Sequence, residues 1–200
     1  MIFIDYIEVV FWLSLAILLY TYFGYPLVLW VFSKFMSVNV NKDESFTPLV
    51  TLMILAHNEE ISIKARLDNA LEMDYPKDKL EIMVVSNGST DKTDEIVRAY
   101  ASKGVKLLSY EQAGKTNAQN LAVPQARGEI VVFSDADTLH EKMAVRNMAA
   151  YFADNRVGLV SGRLSYIKDD NAADAMVEKG ERAYRGYDSV LKKLESSIGA

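Results

Sequence analysis

The chain has 200 residues, no cysteine and two histidines, and it carries a formal charge of −5 at pH 7. A chain of this length can hold one domain and an additional element. The absence of cysteine excludes disulfides and thiolate metal sites. The scattered basic residues of this acidic chain leave no footprint for nucleic acid, so we expect no nucleic-acid partner.

The first predicted element is an apolar helix near the N-terminus. No charged residue occurs from Val9 to Ser33, and a helix of that length, rising ~1.5 Å per residue, exceeds the ~30 Å hydrocarbon core of a bilayer. Asp5 and Glu8 make the start of the chain acidic, whereas a cleaved signal peptide has a basic start and a shorter core. The segment is therefore predicted to be an uncleaved transmembrane anchor.

The flanks of this helix predict its orientation. Gly24 and Pro26 predict a kink, which a bilayer tolerates. Lys34 and Lys42 follow the helix and no basic residue precedes it, so the positive-inside rule places the rest of the chain in the cytoplasm. We expect a single-pass protein of the plasma membrane with a cytoplasmic domain. The predicted divisions are an anchor over residues 1–36, a polar linker over 37–48 and a domain over 49–200.

Short apolar runs alternate with helical patterns after the linker. The alternation, with polar turns where the runs end, is typical of an α/β fold with an open, mostly parallel sheet and helices on both faces. The predicted strands are Val50 to Leu55, Ile82 to Val85, Val105 to Leu108, Ile130 to Phe133 and Val157 to Val160.

Helices are predicted between these strands. Asn58 is expected to cap the first, with Ile61, Ala65, Leu67 and Leu71 on its apolar face. The others are predicted with caps or ranges as follows: one capped by Ser89 or Thr90 and stopped at Gly104, one opened by Gly114, one over Glu141 to Phe152 and one over Ala172 to Leu194.

Two acids, Asp135 and Asp137, follow the fourth predicted strand. In open α/β sheets, ligands bind beyond the carboxyl ends of the strands. Carboxylates at this spacing suit Mg²⁺ or Mn²⁺, and such a cation would stabilise the charge that develops on a diphosphate leaving group. The alternative is that the acids form a polar turn and cap the helix that starts near Glu141.

Other polar groups follow the first, second and third predicted strands. Asn58 and Glu59 are candidates for hydrogen bonds to a base or ribose, Asn87 for the polar edge of a pyrimidine, and Lys115 for phosphate at a helix N-terminus. Each has a structural alternative: a cap for Asn58, a turn at Asn87 and a solvated charge for Lys115. The chain lacks the glycine fingerprint of dinucleotide-binding folds and the nucleophile elbow of α/β-hydrolases, and its Gly-Lys-Thr lacks the start of a P-loop.

Four ordered motifs carry a resemblance to a known family. They are Ala56-His57-Asn58-Glu59-Glu60, Val84-Val85-Ser86-Asn87-Gly88-Ser89-Thr90-Asp91, Gly114-Lys115-Thr116-Asn117-Ala118-Gln119-Asn120 and Ser134-Asp135-Ala136-Asp137. With these motifs the chain resembles the family 2 glycosyltransferases, particularly the membrane-bound bacterial branch near the hyaluronan, cellulose and poly-N-acetylglucosamine synthases.

The resemblance implies a glycosyltransferase A-type nucleotide-sugar domain that uses Mg²⁺ or Mn²⁺. It also implies a catalytic base in a later acidic motif, expected beyond Ala200 together with the acceptor region. Asn87 departs from the family, which usually has Asp there, so the preference for uracil is weaker. The implied positions are Ala56 and Glu59 at the nucleoside, Asn87 at the uracil, Lys115 near the nucleotide sugar, Asp135 at the ribose or diphosphate, and Asp137 at the metal.

The sequence therefore predicts an inverting glycosyltransferase that moves a sugar from a UDP-sugar to a saccharide or lipid acceptor, with a role in polysaccharide synthesis. Two alternatives stay open. One is a truncated, non-catalytic module that binds nucleotide or a partner. The other is a nucleotidyltransferase, which uses a similar fold and metal.

Overall fold

The structure is a computed structural model that describes residues 2–36, 38–111, 114–163 and 175–199. It divides into two compact units. The first contains residues 1–39 and 163–200, and the second contains residues 40–162.

The first unit begins with a nearly continuous apolar helix. Helix α1 (Ile2–Leu19) and helix α2 (Tyr25–Phe35) are joined by a π-helical turn, Tyr20–Gly24. The backbone N–H of Tyr25 donates to the carbonyl of Tyr20. The turn lies directly before Pro26, where the kink is predicted; such a turn is a usual adjustment to proline in a helix. From Tyr6 to Phe35 the helix is long and apolar enough to cross a membrane.

A polar helix, α7 (Ala175–Ser197), completes the first unit. It contacts the second half of the apolar helix: Tyr25 donates its hydroxyl hydrogen to Glu195 at 2.7 Å, and Tyr187 donates to the carbonyl of Tyr22 at 3.2 Å. The helix predicted from residue 172 is therefore present from residue 175 onward, and residues 172–174 lie outside the described part of the chain.

The second unit is built on a four-stranded sheet in the order β3-β2-β1-β4, and every neighbouring pair is parallel. Its central strand β1 is buried along its whole length, as expected for a parallel strand covered on both faces. The open parallel sheet predicted from the sequence is confirmed. The strands are β1 (Val50–Ala56), β2 (Leu80–Asn87), β3 (Val105–Tyr110) and β4 (Ile130–Asp135).

Helices cover both faces of this sheet because alternate residues of β1 point to opposite sides. Leu52 and Ile54 pack in one core cluster with α3 (Ile63–Leu71) and α4 (Thr93–Arg98). Met53 packs in another cluster with buried alanines of α5 (Lys115–Ala122). A third cluster joins Val50 to buried residues of α6 (Ala144–Ala149), which a 3₁₀ turn, Ala150–Ala153, extends.

The amino ends of the strands are held together by a buried carboxylate. Glu81 accepts the hydroxyl hydrogen of Thr51 at 2.6 Å and both the backbone and guanidinium N–H groups of Arg127. The N–H of Gly128 donates to the Thr51 hydroxyl at 2.9 Å. This cluster fixes the approach to β4 at the edge of the sheet opposite the two acids.

One predicted element is wrong and another is wrong in part. The fifth predicted strand is absent: residues 157–160 form no strand, Leu159 is 84% exposed, and the run has no ladder pairing with the described strands. Its apolar residues are interrupted by Gly158, which weakens a strand. The helix predicted from Glu141 starts only at Ala144.

The predicted apolar face of α3 is also wrong in part. Ile61 is 94% exposed because it lies in the turn before the helix, and Ala65 is exposed as well. Leu67 is buried as predicted. The remaining buried positions of α3 are Ile63, Arg66 and Ala70.

Candidate functional site

A crevice opens where the order of the strands reverses. The chain moves from β1 to β2 and β3 in one direction, and β4 then pairs with the other side of β1. Crossovers that diverge in this way leave a crevice at the carboxyl ends of the two strands, where α/β proteins bind ligands. A cavity of about 280 Å³ lies there, lined by Leu55, Lys115, Gln119, Phe133, Ser134, Asp135, Thr138 and His140.

A cation and a carboxylate meet in this cavity. Asp135 ends β4, and Lys115 begins α5 after Gly114, whose φ of 83° turns the chain into the helix. Lys115 Nζ lies 2.6 Å from Asp135 Oδ1. Both side chains are more than half exposed, so the pair is accessible to a ligand from solvent. The structure thus brings together two residues that are 20 positions apart and were each predicted to contact a nucleotide sugar.

The second acid, Asp137, follows in a turn and is exposed. The N–H of Thr138 donates to the Asp135 carbonyl at 3.4 Å, and the Thr138 hydroxyl donates to Asp137 Oδ1 at 3.3 Å. Helix α6 starts at Ala144, with Met143 at the N-cap position. Of the structural alternative, the cap is therefore wrong, whereas the polar turn is present.

The carboxylates of Asp135 and Asp137 suit a hard divalent cation whose other ligands are substrate oxygens and water. Asp135 and Asp137 supply carboxylate oxygens, and the described residues contain no group of three or more His, Cys, Asp or Glu that could hold a metal ion. Mg²⁺ is commonly bound by one or two carboxylates together with substrate phosphates and water. The described residues therefore need not supply all of the ligands of the metal.

The first two motifs are tied to each other. Asn58 has a φ of +56°, a left-handed conformation that Asn tolerates better than most residues. Its Oδ1 accepts the N–H of Thr90 at 2.8 Å, and its own N–H donates to the hydroxyl of Ser89 at 3.1 Å. Asn58 therefore joins the loops that follow β1 and β2 and does not cap α3 as predicted.

The same loops are joined at a second point. Asp91 accepts the N–H of Glu60 at 3.0 Å through one oxygen and the N–H of Thr93, the first residue of α4, through the other. Asp91 thus takes the role at this helix start that was predicted for Ser89 or Thr90. The carboxylate of Glu59 accepts the hydroxyl hydrogen of Ser62, and the N–H of Glu59 donates to the Thr93 hydroxyl at 2.8 Å.

The predicted nucleoside side of the site lies at the ends of β1 and β2. Ala56 ends β1 and is 4% exposed, and Asn87 ends β2 and is partly exposed. His57 Nδ1 lies 2.8 Å from the Asn87 carbonyl oxygen. Because a carbonyl only accepts, Nδ1 of His57 carries the proton. The predicted binding residues thus share the carboxyl edge of the sheet, and their contacts to a nucleotide stay a prediction.

Sequence reasoning missed two residues at this site, Arg66 and His140. Arg66 is fully buried in α3 and donates to Ser134 and His140. Burial lowers the pKa of Arg66 to about 10. Burial, with the positive charge of Arg66 beside it, lowers the pKa of His140 to about 4. The available signal was the helical spacing of Arg66 with Ile63 and Ala70, which places it on the buried face of α3.

Several known glycosyltransferases are similar in sequence to this chain. The chain is 34% identical over 139 residues to the probable glycosyltransferase YdaM of Bacillus subtilis, covering 66% of this chain and 32% of that protein. It is 34% identical over 157 residues to a beta-monoglucosyldiacylglycerol synthase of Synechocystis, covering 76% and 32%. The chain thus spans about a third of the length of these curated relatives.

A solved structure supports the fold assignment. A mannosyltransferase from Pyrobaculum calidifontis, in complex with GDP-Man and Mn²⁺, is similar over 72% of this chain and 45% of that one, with 37% identity and a TM-score of 0.60. The predicted glycosyltransferase A-type fold is confirmed. Residues 51–198 match the family described as Glycosyl transferase family 2, and the chain therefore belongs to that family.

Proposed function

We propose that the second unit binds a UDP-sugar together with a divalent metal in the crevice between β1 and β4. In this proposal the chain is the nucleotide-sugar-binding part of an inverting glycosyltransferase that acts on a saccharide or lipid acceptor, with a role in polysaccharide synthesis. The observation that carries the proposal is the pairing of Lys115 with Asp135, 2.6 Å apart, in the cavity at the strand-order reversal.

The charged residues have distinct proposed roles. Asp135 and Asp137 hold Mg²⁺ or Mn²⁺, whose chemistry when bound is to neutralise the charge that develops on the diphosphate. Lys115 contacts a phosphate oxygen, helped by its place at the N-terminus of α5. A relative with a similar fold was solved with GDP-Man and Mn²⁺, which supports the pairing of a nucleotide sugar with a metal.

The nucleoside is proposed to lie at the ends of β1 and β2. Ala56 has a side chain small enough to let a planar base approach, and Glu59 and Asn87 offer polar groups to the ribose and base. A carboxamide both donates and accepts hydrogen bonds, so Asn87 can match the polar edge of uracil. The ties through Asn58 and Asp91 hold these two loops together before any ligand binds.

The apolar helix is proposed to anchor the protein in the plasma membrane, with the second unit in the cytoplasm. From Tyr6 to Phe35 it is 30 residues long, with a mean hydropathy of 1.8 in its most apolar window. Cytoplasmic orientation follows from Lys34 and Lys42, which lie after the helix and not before it.

The test is calorimetry of UDP and GDP binding to the full chain in detergent, with Mn²⁺, with Mg²⁺ and with EDTA. We expect UDP to bind more tightly with metal than with EDTA, because a diphosphate beside carboxylates without a bound cation is repelled. Asp137→Ala should abolish the difference, because it removes a proposed metal ligand. Asp78→Ala is the matched control, since Asp78 is an exposed acid before β2, at the opposite end of the strands from Asp137. Equal affinity with metal and with EDTA in the unmodified chain would contradict the proposal.

Lys115 offers a second test that separates phosphate binding from metal binding. Hydrogen bonds to charged groups contribute about 1.5–3 kcal/mol, so Lys115→Met should weaken UDP roughly 10-fold or more. The loss should occur with EDTA as well as with Mn²⁺, since Lys115 acts on the phosphate itself. A loss confined to the Mn²⁺ series would instead place Lys115 in the metal site.

A further inference from the structure

One turn of α3 holds both ends of the loop that carries the two acids. At the start of the loop, Arg66 Nη2 donates to the hydroxyl of Ser134, the residue before Asp135, at 3.2 Å. At its end, the same nitrogen donates to Nδ1 of His140 at 3.4 Å. A single guanidinium therefore spans the loop behind the carboxylates.

Asn69, one turn further along α3, holds the backbone of the same loop end. Its Oδ1 accepts the N–H of His140 at 2.9 Å, and its Nδ2 donates to the carbonyl of His140 at 2.9 Å. Asn69 Oδ1 also accepts from Nη1 of Arg66 at 2.9 Å. The two side chains of α3 therefore form one hydrogen-bonded group with His140.

Folding alone does not account for a charge at this position. Arg66 is 0% exposed, its Nε has no hydrogen-bond partner among the described residues, and no ion pair there joins it to a carboxylate. A buried charge without a counter-charge costs several kcal/mol. The contacts of Arg66 with the acidic loop are the feature that distinguishes it from an apolar residue.

The contact also determines the tautomer of His140. Arginine only donates, so Nδ1 of His140 accepts and the ring proton lies on Nε2. His140 and Asp135 both line the cavity. His57 is held in the opposite tautomer by its bond to the Asn87 carbonyl.

We propose that Arg66 is a positioning residue for the metal and nucleotide site: it fixes the loop from Ser134 to His140, and with it the placement of Asp135 and Asp137, and it holds His140 as the Nε2–H tautomer facing the cavity. The inference rests on the proposed function in that the two carboxylates are taken as the metal ligands. Partners that orient metal ligands typically change metal affinity by about 10-fold to 100-fold when they are mutated.

The first measurement is the ratio of the UDP dissociation constants in EDTA and in Mn²⁺. Arg66→Met should lower this ratio by about 10-fold or more, with little change in the EDTA value. Arg66→Lys keeps the charge but lacks the planar fork whose two terminal nitrogens reach Asn69 on one side and Ser134 and His140 on the other, so it should recover only part of the ratio. Arg146→Met is the control, because Arg146 pairs with Asp74 and makes no hydrogen bond to residues 134–140 among the described residues.

The second measurement needs no nucleotide and is the ¹⁵N spectrum of the histidine rings in the full chain. The chain has only two histidines, so both signals can be assigned. In the unmodified protein His140 should be protonated on Nε2 and His57 on Nδ1. In Arg66→Met the His140 signal should move toward a mixture of tautomers, while His57 stays unchanged.

The two measurements separate this inference from the proposed function. Equal UDP affinity with Mn²⁺ and EDTA in the unmodified chain would refute the proposed function, and the His140 signal would then decide the role of Arg66 by itself. An unchanged His140 tautomer in Arg66→Met would overturn the inference. If the unmodified chain binds UDP more tightly with Mn²⁺ than with EDTA, an unchanged ratio of the two dissociation constants in Arg66→Met would overturn it as well. If Arg66→Met does not fold, Ser134→Ala replaces it in the first measurement and should lower the metal ratio. In the second measurement Arg66→Gln replaces it, because a carboxamide both donates and accepts and so does not fix the tautomer of His140. No change in either measurement would also overturn the inference.

Discussion

His140 links the protonation of the site to the stability of the fold. Its pKa in the folded protein is about 4, below the value of about 6.5 for an unperturbed histidine. The unfolded chain therefore takes up a proton between these values that the folded chain does not. The stability contributed by the neutral ring is complete above about pH 6.5 and is lost as the pH falls toward about 4.

The corresponding prediction compares the protein with His140→Gln, which cannot titrate. Because the ring is partly exposed, we expect the unmodified chain to lose only about 1–2 kcal/mol more than the variant between about pH 7 and about pH 4.5. Urea unfolding followed by circular dichroism at the two pH values measures the difference. If the difference in the free energy of unfolding between the two proteins does not change with pH, the pKa of His140 is not lowered in the folded protein.

At the residue scale, the pairing of Lys115 with Asp135 was predictable in outline. Lys115 follows β3 and Asp135 ends β4, and the carboxyl ends of all strands lie at the same end of a parallel sheet. The role of Asn58 was not predictable. The same local sequence is compatible with a helix cap and with a left-handed residue that hydrogen-bonds to a neighbouring loop. Arg66 was missed because a charge in a helical pattern is normally exposed. Only the tertiary contacts with Ser134 and His140 show why this one is buried.

At the scale of elements, the turn into β4 depends on the absence of a side chain at Gly128. A Cβ built there would lie 2.3 Å from the backbone nitrogen of Thr51 and 2.7 Å from the carbonyl oxygen of Ile130. Both are backbone atoms, so the start of β1 or of β4 would have to move. The same shift would disturb the bonds of Thr51 and Arg127 to the buried Glu81.

We expect Gly128→Ala to destabilise the protein by about 1–3 kcal/mol, the usual cost of forcing atoms into a filled site. Gly158→Ala is the matched control: a Cβ there meets nothing within 4 Å, so the change should stay within about 0.5 kcal/mol. Thermal unfolding of the two variants in parallel gives the comparison. Equal stability of both would show that the backbone at Gly128 relaxes without cost.

The four strands were predictable from their apolar runs, although only β1 and β2 lie inside the sheet and β3 and β4 form its edges. The run from Val157 to Val160 has similar composition but no ladder pairing among the described residues. Pairing is a property of the neighbouring strand, so a local pattern could not distinguish this run from the others. The late start of α6 has a similar cause, since residues 141–143 are compatible with a helix but lie in the turn before it.

At the scale of the whole molecule, the absence of cysteine allows the membrane orientation to be tested with single introduced thiols. Ile2→Cys, in the first turn of α1 and before the apolar span that starts at Tyr6, should react with a membrane-impermeant maleimide in intact bacterial spheroplasts. Ser102→Cys, at an exposed position in the second unit, should react only after lysis. Labelling of Ser102→Cys in intact cells would reverse the proposed orientation, and recovery of the full chain in the soluble fraction would contradict the anchor.

Asp135 and Asp137 are proposed to hold a metal that also contacts the diphosphate of a bound nucleotide. An experimental structure of the full chain with UDP and Mn²⁺, with the metal located by its anomalous scattering, tests this arrangement. We expect one Mn²⁺ within about 2.2 Å of a carboxylate oxygen of Asp137 and of a diphosphate oxygen, in the crevice between β1 and β4. UDP bound outside that crevice, or Mn²⁺ bound to the diphosphate without either carboxylate, would contradict it.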